Sequence, residues 1–186
     1  MRIVIIGGGI AAVYIANTIK KFSPNEDVLI VSEEAYSPYD RIHLCALVDK
    51  SATVEEISLP LDPTVQIALD EKILSIDKES KRIFSEHSVF SYDKLIIATG
   101  SVPQTLFDIS TLKNAAVFRN ANDCRNIAEG MQNREVVIVG SGPIGLELME
   151  TLNKMQSVNH ITLLVRSDSL YDTNRSPQAK KEMESV

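Results

Sequence analysis

The chain has 186 residues, 44% of them hydrophobic and 24% charged, with a net charge of −6 at pH 7. That length can bury a core as one large domain or two small ones, while the acidic balance gives no electrostatic support to a nucleic-acid or anionic-membrane partner. Two cysteines, Cys45 and Cys124, cannot make a disulfide framework, no CxxC or Cys/His spacing marks a metal site, and no apolar run reaches the ~20 residues of a membrane helix.

Arg2–Ile6 is a short β-branched run that stops at glycine, which predicts a buried strand. Ile10–Phe22 places apolar residues at Ile10, Val13, Tyr14, Ile15 and Ile19 with lysines near its end, the pattern of a helix packed on a sheet and closed by "SPN". "DVLIVSEE" follows as a second buried strand, completing a βαβ unit. Ile3–Lys21 also has the length of a signal-peptide apolar region. Three successive glycines would weaken an inserting helix, however, and no small-x-small cleavage site appears, so export is not expected and a cytoplasmic location is.

From Ser37 to Pro60 turn residues mix with a short helical pattern of no clean period. "EKILSIDKESKRIFSEHSVFSYD" alternates around "DKES", predicting antiparallel strands, and "KLIIATG" reads as a further buried strand. A loop with Pro103 leads to the helix-like "NANDCRNIAEGMQ", for which Asn122 or Asp123 is a candidate cap. "EVVIVGSGPIGLELMETLNKM" then repeats the opening arrangement, and "HITLLVRSD" closes a second βαβ unit. Ser101–Asn114 is the expected connection between the two.

The first turn, Gly7-Gly8-Gly9-Ile10-Ala11-Ala12, matches G-x-G-x-x-G/A. Its first glycine permits the tight turn, its second lets a pyrophosphate approach the backbone, and its small third residue lets helix and strand pack closely. Free N–H groups and the positive end of the helix dipole suit an anion. Twenty-one residues beyond Ala12 lies Glu33, where a carboxylate can accept from ribose hydroxyls. The second turn, Gly140-Ser141-Gly142-Pro143-Ile144-Gly145, has the same context, but Arg166 stands where the first unit has Glu33. A guanidinium there can pair with a 2′-phosphate, which points to NADPH, whereas Asp168 remains available to a ribose. Two such turns imply two dinucleotides, a flavin and a nicotinamide cofactor.

"GGGIAA", "YSPYDRIHL", "EEISL", "YDKLIIATGSVP" and "VVIVGSGPIGLEL" together resemble the two-dinucleotide-binding-domain flavoproteins, the pyridine nucleotide–disulfide oxidoreductases. "PYDRIHL" followed by "EEISL" is most similar to the flavoprotein part of NAD(P)H nitrite reductase large subunits, with NADH:rubredoxin reductases close behind. The resemblance implies an α/β chain: a three-layer Rossmann-like FAD-binding domain over 1–112, with an antiparallel meander, and the first βαβ part of an NAD(P)-binding domain over 113–186. Relatives continue beyond this point with a return segment carrying a Gly-Asp motif, so the chain is expected to be a fragment.

Carried over by position, the resemblance puts Gly7, Gly9, Ala11 and Ala12 on the FAD pyrophosphate and Glu33 on the adenosine ribose. Ser32 replaces the acid many relatives have at the strand end, so Glu33 or Glu34 must serve. Arg41 falls near the flavin and its phosphates, the Ile73 backbone at the adenine, and Thr99 and Gly100 close to the FAD. Arg119 falls beside the flavin, Gly140, Gly142 and Gly145 on the nicotinamide dinucleotide, and Glu147 near the nicotinamide. Outside that context Arg41, Arg119 and Glu147 would read as solvated surface charges. Cys45 is the one catalytic candidate, but it lies one position off the redox cysteine of some relatives, and a buried inert thiol is the expectation. Cys124 is expected to be structural, and His43, His87 and His160 to be polar surface or turn residues.

The implied activity is electron transfer from NAD(P)H through FAD to an acceptor, a small molecule or a redox protein. A homodimer or a completing polypeptide is a candidate partner. A non-catalytic nucleotide-binding remnant or subunit is the rival reading. The duplicated turn and "ATG" argue against a one-cofactor dehydrogenase.

Overall fold

The computed structural model describes residues 1–105, 108–155 and 158–165. The chain divides into two compact units: Met1–His43 with Thr53–Gln104, and Leu44–Ala52 with the described residues from Thr105 onward.

In the first unit, strand β1 (Arg2–Ile6), helix α1 (Ile10–Phe22) and strand β2 (Asp27–Val31) form the expected parallel βαβ unit. β1 and β2 each bury four of their five residues because both faces are covered. Ile5, Val28 and Ile30 face α1, meeting Ala12, Ala16 and Val65. Val4, Ile6, Leu29 and Val31 face the opposite way and meet Ile83. Alternate residues of one strand thus feed two cores, and a third layer must lie beyond the sheet. That layer is an antiparallel meander. Helix α1 ends where Lys20, a buried lysine, donates to the Glu26 carbonyl at 2.6 Å.

Strand β3 (Gln66–Ala68) and, after the meander strands β4 (Ile73–Asp77), β5 (Arg82–Ser85) and β6 (Val89–Ser91), strand β7 (Lys94–Ile97) complete the parallel sheet in the order β3-β2-β1-β7. The "DKES" turn is closed by Asp77, whose carboxylate accepts from the Glu79 and Ser80 N–H groups at 3.0 and 3.1 Å. β7 differs from expectation. Instead of being buried it forms an edge, paired to β1 alone among the described strands, and Ile97 is 64% exposed.

In the second unit, helix α2 (Leu44–Val48) packs against helices α3 (Ala121–Gly130) and α4 (Pro143–Lys154). Strands β8 (Arg134–Val139) and β9 (Val158–Leu164) pair in parallel around α4. The cap of α3 is Asn120 rather than Asn122 or Asp123: its side chain accepts from the Asp123 N–H at 2.9 Å, and Asp123 accepts in return from the Asn120 N–H at 3.0 Å. The reciprocal pair needs the acid at the third helical position, so Asp123 belongs to the capping box without being the cap.

Candidate functional site

The two glycine turns have nearly the same local geometry. Gly7 has φ +117° and Gly140 φ +114°, which only glycine adopts without strain. The Gly7 N–H donates to the Val31 carbonyl at 2.8 Å, and the Gly140 N–H to the Leu164 carbonyl at 2.9 Å. Each turn is therefore tied to the end of the neighbouring parallel strand. Gly9 and Gly142 are then the N-caps of α1 and α4, and neither helix start receives a side-chain cap. Their first N–H groups remain for another acceptor.

Cβ atoms built on these glycines separate their roles. At Gly7 a Cβ would collide with the Ala98 carbonyl, and at Gly145 with the Gly140 carbonyl, so both are closed against backbone. At Gly9 and Gly142 nothing lies within 4 Å. This open space, directly before an uncapped helix with no acidic residue in its first turn, fits the phosphates of a dinucleotide. Ala12 is fully buried against β1 and β2, as the small third residue requires, while Ala11 is exposed on the first turn of α1.

Around the first turn, Ser32 is buried with its hydroxyl against Gly8, which a Cβ there would strike. The carboxylates here follow Ser32, at Glu33 and Glu34. Glu33 is exposed and Glu34 half-buried. The segment before β4 docks alongside: Glu71 N–H donates to the Ser32 carbonyl at 2.9 Å and Asp70 N–H to the Glu34 carbonyl at 3.1 Å. Ile73, at the start of β4, packs on the core face shared by Ile6 and Val31. Thr99 and Gly100 are exposed at the end of β7, and the Thr99 nitrogen lies 3.1 Å from where a Gly7 Cβ would sit. The structure therefore brings Gly7, Gly9, Glu33, Glu34, Ile73, Thr99 and Gly100 to one end of the parallel sheet. Arg41 joins them through Glu34, with which it forms an ion pair. Reasoning from the sequence missed Tyr39, a buried phenol that donates to Glu34 at 2.5 Å. It stood in the quoted "PYDR", but no periodicity marks a contact made across a turn.

In the second unit Arg119 lies ahead of α3, and its N–H donates to Asp123 at 2.9 Å. Glu147 is exposed on α4. Arg166 and Asp168 lie outside the described residues.

Cys45 is buried in α2, and burial pushes its thiol up to about 11; a Thr151 hydrogen bond works against this and the Glu147 charge adds to it. Burial, with the Asp123 charge, pushes Cys124 up to about 12. At pH 8 the Cys45 thiolate is then about one part in a thousand. Iodoacetamide at pH 8 is expected to leave the native intact mass unchanged and to add twice in denaturant. A fast single adduct on Cys45 in the native protein would contradict the inert assignment. Among the described residues no group of three or more His, Cys, Asp or Glu is placed to hold a metal ion. No helix among them is long and apolar enough to cross a membrane.

Comparison with known proteins agrees with this geometry. The chain is 31% identical over 158 residues to the rubredoxin-NAD(+) reductase of Pseudomonas putida, covering 80% of this chain and 41% of that protein. It is 27% identical over 155 residues to the nitrite reductase [NAD(P)H] of Bacillus subtilis (strain 168), covering 78% of this chain and 19% of that protein. The reductase in the covalent putidaredoxin reductase–putidaredoxin complex shares the fold with a TM-score of 0.83 at 24% identity, over 99% of this chain and 46% of that one. The chain spans about two fifths of the length of the first curated relatives it matches. The model for the pyridine nucleotide-disulphide oxidoreductases matches residues 1–186, and the chain belongs to that family.

Proposed function

We propose that the chain is the dinucleotide-binding part of an FAD-dependent NAD(P)H oxidoreductase. The observation that carries this reading is the pair of open spaces at Gly9 and Gly142, each before an uncapped helix. The Gly7–Ala12 turn would hold the FAD pyrophosphate through the first N–H groups of α1, with Ala11 and Ala12 keeping the approach small. Glu33, with Glu34 beside it, would accept from the adenosine ribose, the Ile73 backbone would meet the adenine, and Thr99, Gly100, Arg41 and Arg119 would border the flavin. Gly140, Gly142 and Gly145 would hold the nicotinamide dinucleotide, with Glu147 near its ring and Arg166 on a 2′-phosphate. When bound, the flavin supplies hydride acceptance and onward electron transfer, chemistry no side chain provides. The protein's part is to fix the two dinucleotides and shield them.

The FAD-binding domain is assigned to 1–112 and the NAD(P)-binding part to 113–186. The acceptor is a small molecule or a redox protein, as the names of the rubredoxin and nitrite reductases support. Two buried free cysteines and no disulfide framework support a cytoplasmic location. A second reading, in which the chain binds nucleotide but turns over only with a completing polypeptide or a second copy, is favoured by its exposed apolar strand residues. Ile97 is 64% exposed in one unit, and Val137 and Val139 are 57% and 63% exposed in the other.

Purified protein is expected to be yellow, or to become so with FAD, and anaerobic NADPH to bleach the flavin band faster than NADH. Arg166→Ala is expected to equalise the two. FAD binding without bleaching would favour the second reading. Colourless protein that FAD cannot reconstitute would sink the flavoprotein assignment.

A further inference from the structure

Glu33 and Glu34 are adjacent carboxylates beyond β2, yet their surroundings differ. Glu33 is exposed and carries no hydrogen bond or ion pair among the described residues. Glu34 is fixed along its whole length. Its N–H donates to the Ser32 hydroxyl at 3.3 Å and its carbonyl accepts from Asp70 at 3.1 Å. One carboxylate oxygen accepts from Tyr39 at 2.5 Å, and the other accepts from Arg41. Arg41 also donates to the Tyr39 hydroxyl at 3.3 Å, and its guanidinium lies 5.2 Å from the centre of the Tyr39 ring. Tyr39 is itself 3% exposed and held by its flanks: Leu59 N–H donates to the Pro38 carbonyl at 2.8 Å, and Asp40 N–H to the Ile57 carbonyl at 2.9 Å.

We propose that Glu34 and Tyr39 are positioning residues that hold the Arg41 guanidinium for a phosphate-bearing dinucleotide, while Glu33 alone serves the ribose. The proposal rests on the oxidoreductase reading above. A guanidinium has five donors in a rigid plane, so one edge fixed by a carboxylate and a face resting on a phenol set the direction of the whole fork. An arginine ordered beforehand does not lose its rotamer freedom on binding, a difference of about 3- to 10-fold in affinity. Against this, the Glu34 charge sits near an anionic ligand and partly offsets Arg41. The variant that decides is therefore Tyr39→Phe, which removes one hydroxyl and keeps the ring and both charges.

The 186-residue chain without cofactor is titrated with FAD by flavin fluorescence and with adenosine, which lacks phosphate, by calorimetry. Tyr39→Phe is expected to weaken FAD about 3- to 10-fold and to leave adenosine unchanged. Arg41→Ala should weaken FAD at least as much, and adding Tyr39→Phe to Arg41→Ala should do nothing further. Glu33→Gln should weaken both ligands. The proposal is overturned if Tyr39→Phe leaves FAD affinity intact, weakens adenosine equally, or still acts in the Arg41→Ala background. It is also overturned, with the oxidoreductase reading intact, if wild type binds FAD and Arg41→Ala binds it equally well. Wild type that binds no FAD overturns both.

Discussion

Replacing Gly7 with alanine is expected to lower the melting temperature by about 10 °C, corresponding to roughly 3 kcal/mol or more of lost stability. Two costs combine. At φ +117° an L-residue is strained, and the added Cβ would meet the Ala98 carbonyl, which belongs to backbone and cannot swing aside. The turn cannot relax outward without giving up the Gly7 N–H bond to Val31 and parting β1 from β7, where Ala98 N–H donates to the Ile6 carbonyl at 2.8 Å. Thermal unfolding followed by circular dichroism checks this. A midpoint within a few degrees of wild type would mean that the turn is not built as described.

Gly9→Val is expected to have the opposite profile: an intact fold with FAD binding weakened by at least about 100-fold. Gly9 has φ −91° and ψ 179°, an extended conformation that valine adopts readily, and nothing lies within 4 Å of its Cβ position. The cost to the free protein is that of a poorer N-cap, up to about 1 kcal/mol. For a bound pyrophosphate the isopropyl group stands between ligand and helix N-terminus. Losing two charge-assisted hydrogen bonds of about 1.5 kcal/mol each accounts for the factor of about 100. Fluorescence titration with FAD, paired with a thermal melt, separates this outcome from simple unfolding. Retained affinity would remove the pyrophosphate from this turn.

The contrast between Gly7 and Gly9 shows what could be read before the structure. The strand–glycine–helix pattern is local, so β1, α1, β2, β8, α4 and β9 and both turns were legible in residue order alone. Which glycine faces backbone and which faces open space was legible only through the general pattern of such turns, which the Cβ positions match. What depends on neighbours distant in sequence was not legible. "KLIIATG" is apolar enough for a central strand, yet among the described strands β7 pairs with β1 alone and forms an edge. β3 is three residues long and takes its place from pairing with β2, leaving no period to detect. From Ser37 to Pro60, structure comes from an isolated bridge between Tyr39 and Ser58 with its flanking backbone hydrogen bonds, from a single 3-10 turn over Arg41–His43, and from the five-residue α2, which packs on α3 and α4. Spacing from Ala12 favoured Glu33 for the ribose but left Glu34 as an alternative. Tyr39 and Arg41, brought back over Glu34 by the turn, distinguish them.

The chain needs two independent dinucleotide sites for the proposed electron path, so a crossed titration tests that requirement most directly. Wild type, Gly9→Val and Gly142→Val are each titrated with FAD and with NADP⁺. Wild type is expected to bind one equivalent of each, Gly9→Val to lose FAD alone, and Gly142→Val to lose NADP⁺ alone. Competition between the two ligands on wild type, or loss of both from either folded variant, would contradict it.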